Sequence, residues 1–378
     1  MVGPLQGLVV TELAGLGPAP FAGMVLADLG ARVIRVDRTD GAGLFSPSSN
    51  DVLRRGRESI AVDLKSPEGV EIVLRLAAAS DALIEGFRPG VTERLGLGPA
   101  ECLARNPALV YGRVTGWGQV GPMSSMAGHD IDYVALSGAL HPVGTSEDPI
   151  PPLNLVGDFG GGGMLLALGV VAAVLHARER GEGQVVDAAM VDGSALLTAS
   201  HHGYMADGWW QPRRQSNLLD GAAPFYTTYR TSDDNHVAVG ALEPQFFAAL
   251  LEGLGLTAED VGPQSDRDGW PSMRERFATI FATMTRDEWA AHFDGSDACV
   301  APVLSLAEAP AHPHNLARDT FIGVAGVTQP APAPRFSITK SELGKPPRNP
   351  GEDTGAILSF LGYSKGEIGR LRSSGSVA

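Results

Sequence analysis

At 378 residues the chain is longer than one small core needs, and two domains or one large one are expected. Its 44% hydrophobic and 19% charged residues suit a wholly globular chain, and the 48 glycines and 27 prolines follow no collagen period, internal repeat or low-complexity block. A formal net charge of −14 argues against nucleic acid or an anionic membrane as a partner, so any phosphate-bearing ligand needs a local basic cluster.

The first residues, MVGPLQGLVVTELAG, hold no basic n-region and no long apolar run, so no signal peptide is expected. LVVTEL then reads as a strand, AGLGPAP as a loop, FAGMVLADLG as a helix stopped by glycine and RVIRVDR as a second strand: a βαβ unit, and so a parallel sheet. The pattern continues with SIAVDL (strand), SPEGVEIVLRLAAAS (helix, with Ser66 as N-cap), DALIEGF (strand), VTERLGL (short helix) and LVYGRVTGWG (strand). GHDIDYVALSGAL and GGMLLALGVVAAVLHARERG are expected helices, and GQVVDAAMVDGSALLTAS a strand passing into a helix. The apolar stretch from Gly160 to Leu175 falls short of the roughly 18 to 20 residues that span a bilayer, so it is read as a buried helix. From DGWWQPRRQSNLLDGAAPFYTTY onward the character turns aromatic and turn-rich, with a strand in HVAVGAL and helices in PQFFAALLEGLGL and PSMRERFATIFATMTRDEWAAHF. VTQPAPAPRFS reads as an extended, proline-rich linker, and DTGAILSFLGYSKGEIGRL as an amphipathic helical tail with its own turn. The fold class is therefore α/β, a large Rossmann-like open-sheet domain followed by a smaller α+β domain.

Several familiar chemistries are absent from the sequence. GLGPAP follows a strand, but Pro20 stands where a dinucleotide fingerprint needs its third small residue. There is no P-loop, no G-x-S-x-G and no H-E-x-x-H, and neither histidine pair (His201 with His202, His312 with His314) has ligand-spaced partners, so no metal is expected. Two cysteines, Cys102 and Cys299, make no disulfide scaffold and fit reduced thiols in a cytoplasmic protein.

What remains is a set of basic residues near the early strands' ends: Arg38, Arg54, Arg55, Arg57, Lys65, Arg88 and Arg94. Arg38, Lys65 and Arg88 each sit just past a strand, where a doubly wound sheet gathers its ligand, and together they point to a polyanion site. Two acid–base candidates accompany them. His129 opens GHDIDY, and Asp158 stands before four glycines in NLVGDFGGGGMLL. Helix capping accounts for either alone; facing one crevice, they suit general acid–base work.

These stretches together resemble the class III CoA-transferase (CaiB/BaiF) superfamily and, within it, the α-methylacyl-CoA racemases. The resemblance spans nearly the whole chain: FRPG and GDFGGG mark the superfamily, and GHDIDY and EPQFF lean to the racemases. It implies an interlocked homodimer with each chain threaded through the other. A large CoA-binding domain would comprise residues 1–190 and 330–378, joined by linkers 191–224 and 311–329 to a small domain at 225–310. Carried over, it makes His129 and Asp158 the bases, serving the (S) and (R) faces respectively, with Glu243 as supporting carboxylate. CoA contacts fall on Arg38, Val62, Asp63, Leu64, Lys65, Gly86, Phe87, Arg88 and Arg94, and on Gly128, His129, Asp130, Ile131, Asp132 and Tyr133. Phe87 stands where such enzymes commonly carry tyrosine. No cofactor is implied beyond the CoA of the substrate.

The implied reaction is epimerisation at C2 of 2-methyl-branched acyl-CoA thioesters by proton transfer through an enolate. Backbone N–H groups following Asp158 are candidate enolate donors, and the adjacent glycines would admit the thioester. Two rival readings remain: a CoA-transferase in which Asp158 accepts the acyl group as nucleophile, and a non-catalytic CoA-binding regulator. For the acyl tail, GWWQP and Met205 are candidates, with small-domain core as their plainer role.

Overall fold

The structure is a computed structural model and describes residues 3–40, 50–341 and 344–378. The chain divides into two compact units, Met1–Ser137 with Leu153–Leu197 and Ala317–Ala378, and Gly138–Pro152 with Thr198–Leu316.

In the first unit, β1 (Val9–Leu13), α1 (Pro18–Asp28), β2 (Arg32–Asp37), β3 (Arg57–Ala61), α2 (Pro67–Ala78), β4 (Ala82–Glu85), α3 (Val91–Arg94), α4 (Pro99–Arg105) and β5 (Val110–Thr115) follow in order. Then come α5 (Asp130–Leu136), a π-helical run Leu155–Met164 continuous with α6 (Leu165–Arg180), β6 (Gln184–Ala189) and α7 (Met190–Leu196). The six strands form one sheet in the order β3-β2-β1-β4-β5-β6, every pair parallel. Five of them are largely buried on both faces, which is why they read as continuous apolar runs. Neighbouring residues still part to opposite sides: Val33 and Ile84 pack with Leu26, Leu166 and Val170, whereas Ile34 and Leu83 pack with Ile72, Tyr111 and Ile357.

The second unit contains α8 (Ala199–Ala206), β7 (Tyr226–Arg230), β8 (His236–Gly240), α9 (Pro244–Gly253), α10 (Ala258–Val261), α11 (Trp270–Phe281), α12 (Arg286–His292) and β9 (Val300–Pro302). Its strands form an antiparallel sheet, β7-β8-β9, over a core rich in aromatic rings, among them Phe225, Tyr229, Phe277, Phe281 and Trp289. The single helical pattern expected over 271–293 is two helices, because Thr285 caps the second: its N–H donates to the Glu288 carboxylate at 2.8 Å. Residues 138–152, expected in the large domain, group with this unit. Arg214 accounts for that, donating to the carbonyls of His141 (3.1 Å), Thr145 (2.8 Å) and Glu147 (2.8 Å).

After α13 (Pro313–Ala317) the chain rejoins the first unit, and VTQP is not a linker. It forms β11 (Val327–Pro330), paired antiparallel with β10 (Phe321–Val324). The hairpin is tied down by Arg55, which donates to Gln329 Oε1 and to the Pro330 carbonyl, both at 2.8 Å. Helices α14 (Thr354–Phe360) and α15 (Lys365–Ser373) then cover the second sheet face, and the Asp63 N–H donates to the Ser376 carbonyl at 3.0 Å.

The π-run lengthens the glycine-rich helix beyond the sequence expectation. By length and composition alone the 26-residue span Leu155–Arg180 would cross a membrane. Leu166, Ala167, Val170 and Val174 bury one side of it in the core.

Candidate active site

In a sheet of this order the strand order reverses between β1 and β4, and the crevice beyond their carboxyl ends is where such sheets take ligands. The β1–α1 loop ends at Gly17, the N-cap of α1, whose φ is positive (64°). A Cβ there would lie 3.0 Å from Asp158 Oδ2. Asp158 therefore sits against the β1–α1 loop at the switch point, and only glycine leaves it room.

Asp158 is not in a loop before a helix, as the sequence suggested, but within the π-run. The N–H groups around it are already engaged: its own donates to Asp130 Oδ1 at 2.6 Å, and that of Phe159 to the Asn154 carbonyl at 3.3 Å. These two amides are thus taken up inside the protein rather than left for an enolate. The glycines also have a different purpose. A Cβ on Gly161 would come within 2.7 Å of Ser194 N, on Gly162 within 2.8 Å of Met190 Cγ, and on Gly163 within 2.7 Å of the Phe21 ring. They let the run pack closely on α1 and α7, and the wide π turn puts the Asp158 carboxylate on the crevice side.

Burial pushes the Asp158 carboxyl above its ordinary pKa; the Asn154 amide, donating to Oδ2 at 3.2 Å, holds it down, Asp130 adds to the rise and His129 opposes it. His129 is exposed as the N-cap of α5, its own N–H donating to Asp132 Oδ2 at 2.9 Å. Tyr133 is buried beneath, its ring edge-on to Trp117 at 4.7 Å. A Cβ at Gly116 or Gly128 would strike that ring. Burial first, then the charges of Asp158 and Asp132, push the Tyr133 hydroxyl up to about 12, while Arg88 works against them. His129, Asp130, Tyr133, Arg88 and Asp158 thus share one electrostatic neighbourhood. Ile131 and Asp132 are exposed on the first turn of α5.

The basic residues separate into two groups. Arg54, Arg55 and Arg57 are buried: Arg55 pairs with Asp28 at 2.5 Å, Arg57 with Glu12 at 2.5 Å, and Arg54 lies 3.5 Å from Asp37. Lys65, Arg88 and Arg94 are exposed and have no ion pair among the described residues, while Arg38 pairs only with Asp40, at the surface. Val62 is core, so only its backbone can face a ligand; Leu64 and Phe87 pack half-buried on the same cluster, and Asp63 Oδ1 accepts the Lys65 N–H at 3.0 Å. Gly86 is exposed at the β4 end. Glu243 belongs to the second unit, where it is the exposed N-cap of α9 and its charge raises the pKa of Cys299 behind burial as the larger cause. Trp209 and Met205 are exposed, against the expectation of small-domain core. Among the described residues no group of three or more His, Cys, Asp or Glu gathers as for a metal.

Two contributors escaped the sequence reading. Asn154 reaches Asp158 at i+4 in NLVGD, a spacing visible in the sequence once the segment is taken as helical. Glu85, fully buried at the end of β4, accepts the Phe87 N–H at 2.6 Å, and no local signal announces it.

The fold and crevice define an α/β protein with a ligand site at a topological switch point. A profile of CoA-transferase family III matches residues 5–354, and the chain belongs to that family. It is 48% identical to an alpha-methylacyl-CoA racemase of Mus musculus over 373 residues (98% of this chain, 96% of that protein) and 47% identical to that of Homo sapiens over 375 (98% and 96%). A crystal structure of a CAIB/BAIF family protein from Brucella suis superposes with a TM-score of 0.82 at 26% identity, covering 96% of this chain and all of that one.

Proposed function

We propose that this protein is an α-methylacyl-CoA racemase that epimerises C2 of 2-methyl-branched acyl-CoA thioesters. The observation that carries the reading is a pair of unlike proton carriers in one neighbourhood: an imidazole, His129, and a half-buried carboxyl, Asp158, whose pKa burial raises. An α-proton beside a thioester is far less acidic than either group, so its removal requires an aligned base and a stabilised enolate. Inversion needs the proton taken from one face and returned to the other. One group removes the C2 proton, electrons pass to the thioester oxygen, and the other group delivers a proton opposite. A raised carboxyl pKa brings Asp158 closer to neutrality, where one group both gives and takes protons. The identity with the racemases supports this assignment.

Lys65, Arg88 and Arg94, exposed cations in an otherwise acidic protein, hold the phosphates of CoA, with Arg38 as a further contact. The protein works as a homodimer in the cytoplasm, needing no cofactor beyond the CoA of its substrate. Helix α8 buries no residue, and Leu168, Leu175, Leu196, Leu197 and Trp209 are all more than half exposed, which supports a second chain as their cover. Glu243 is then the supporting carboxylate.

In deuterium oxide, a pure (S)-2-methylacyl-CoA acquires deuterium at C2 and yields both epimers. Asp158→Asn and His129→Ala each lower the rate by about a hundredfold or more, the low end for losing a general acid or base. The family also contains transferases; transfer of CoA to an added carboxylate without deuterium uptake, dependent on Asp158 but not His129, would establish that chemistry instead. CoA binding with neither activity would reject the racemase assignment for this substrate.

A further inference from the structure

The exposed Arg88 and Arg94 project from residues 86–94, the short loop after β4 together with the single turn of α3, and the shape of this segment is imposed from below. Arg113, on β5 directly opposite Glu85 in register, is buried yet makes four hydrogen bonds to three residues, one of them from Nη2 to Glu93 Oε2 at 3.3 Å. Its Nε donates to Glu85 Oε1 at 2.8 Å, its Nη1 to Glu93 Oε1 at 2.7 Å and its Nη2 to Thr92 Oγ1 at 3.3 Å. The second oxygen of Glu85 accepts the Phe87 N–H at 2.6 Å, so the same carboxylate that binds Arg113 also fixes the turn that presents Arg88. At the other end of the loop Glu93 adjoins Arg94, whose Nη1 lies 3.3 Å from where a Cβ of Gly90 would stand. One guanidinium thus joins both ends of the loop.

We propose that Arg113 is a positioning residue for the polyanionic end of the substrate, acting through Glu85 and Glu93 to shape and charge-compensate the loop at 86–94. The charge argument is independent of the shape argument. Glu85 is fully buried beneath the segment and Glu93 is exposed on it next to Arg94, two carboxylates beside a surface meant for phosphates. Burial raises the Glu85 pKa and Arg113 opposes that rise, while its hydrogen bond holds the Glu93 carboxyl down; without Arg113 the buried Glu85 loses its cation and Glu93 stands unpaired beside Arg94, competing with the ligand for it. A planar guanidinium spreads five donors over three nitrogens and so reaches Glu85 on one side and Thr92 and Glu93 on the other, whereas lysine presents its three donors from a single nitrogen.

The inference rests on the reading that this loop holds CoA phosphates, and Arg88→Ala tests that reading separately. Free CoA binding is measured by calorimetry, and KM and kcat on an acyl-CoA substrate, for Arg88→Ala, Arg113→Lys, Arg113→Met, Glu93→Gln and the double variant Arg113→Met with Glu85→Gln. Arg113→Met is expected to raise Kd for CoA and KM together by about tenfold, with kcat within about threefold of the parent. Arg113→Lys recovers part of that loss. So does the double variant, which removes the orphaned buried charge and keeps an acceptor for Phe87 N–H. Glu93→Gln, at a half-exposed site, gives a rise of about two- to fivefold. Should Arg113→Met fail to fold, the double variant and Glu93→Gln carry the decision. Parent affinity in those two, with Arg88→Ala weakened, would overturn the role of Arg113; parent affinity in Arg88→Ala would overturn the reading beneath it.

Discussion

Two populations of basic side chains share the first third of the chain. Arg54, Arg55 and Arg57 follow one another within four positions and all lie in the interior; Lys65, Arg88 and Arg94 stand at the surface without an ion pair among the described residues. The first group ties β3 and the turn before it to neighbouring strands, to α1 and to the distant β10–β11 hairpin: Arg55 and Arg57 hydrogen-bond carboxylates and carbonyls, and Arg54 lies within ion-pair distance of Asp37. The second group stands on segments that follow strand ends, Lys65 after β3 and Arg88 and Arg94 after β4. Arginines occur in both; what separates them is whether a partner already occupies the cation. A free surface cation is available to a ligand, whereas a buried pair is committed to the fold.

The sharpest way to break that division is at Arg57. Burial pushes its pKa down and Glu12, fully buried beside it, pulls it back. It also donates to the carbonyls of Leu53 and Pro20. Arg57→Met leaves Glu12 charged and unpaired in the core, and such a loss costs about 3–5 kcal/mol of stability. Chemical denaturation should show it as a lower midpoint, partly restored by adding Glu12→Gln. A variant as stable as the parent would mean the buried pair is dispensable.

Arg88→Ala should do the reverse. At an exposed position without an ion pair it leaves the melting temperature within about 1 °C of the parent, since surface changes away from special features cost little. It weakens CoA binding by about ten- to a hundredfold, the usual effect of losing a charge-assisted contact. Lys65→Ala gives a smaller loss, because a point charge on a flexible stem recognises phosphate less specifically than a guanidinium fork. Calorimetry and a thermal melt on the same preparation check both halves.

This division also marks what can be read from sequence. The sheet was legible because parallel strands buried on both faces leave continuous β-branched runs between helical periods, and the Ser66 cap was legible because its accepted N–H, from Gly69, lies three residues away. Arg55 was not, because Asp28 and Gln329 stand 27 and 274 positions off and nothing local distinguishes it from Arg88. VTQP was misread for a related reason: prolines around it suggest an extended linker, while long-range hydrogen bonds from Arg55 bury Gln329 and hold the segment in a hairpin. At the candidate site the position of Asp158 was readable from its surroundings, but the purpose of the glycines was not. They face α1 and α7, and their close approach depends on packing between helices far apart in the chain.

Asn154 offers the smallest and most discriminating test of the site. Its amide donates to Asp158 Oδ2 and so favours the ionised carboxylate, working against the burial that raises the pKa. Asn154→Ala removes that donor and leaves the burial, so the carboxyl pKa rises further. The base form of Asp158 then appears only at higher pH, and the acidic limb of kcat/KM in the direction that uses it as base should move upward, by about one pH unit or less. That bound follows because a single hydrogen bond contributes about 1 kcal/mol and one pKa unit corresponds to 1.36 kcal/mol. Stability has a matching sign. A carboxyl whose folded pKa lies above its unfolded value contributes stability at low pH and loses it as pH climbs through the folded pKa. Asp158→Asn, which cannot ionise, should therefore gain stability relative to the parent as pH rises from about 4 to 7, while its activity is lost. A downward shift of the acidic limb in Asn154→Ala would show that burial does not govern this carboxyl, and would break the link between the π-run and the base it positions.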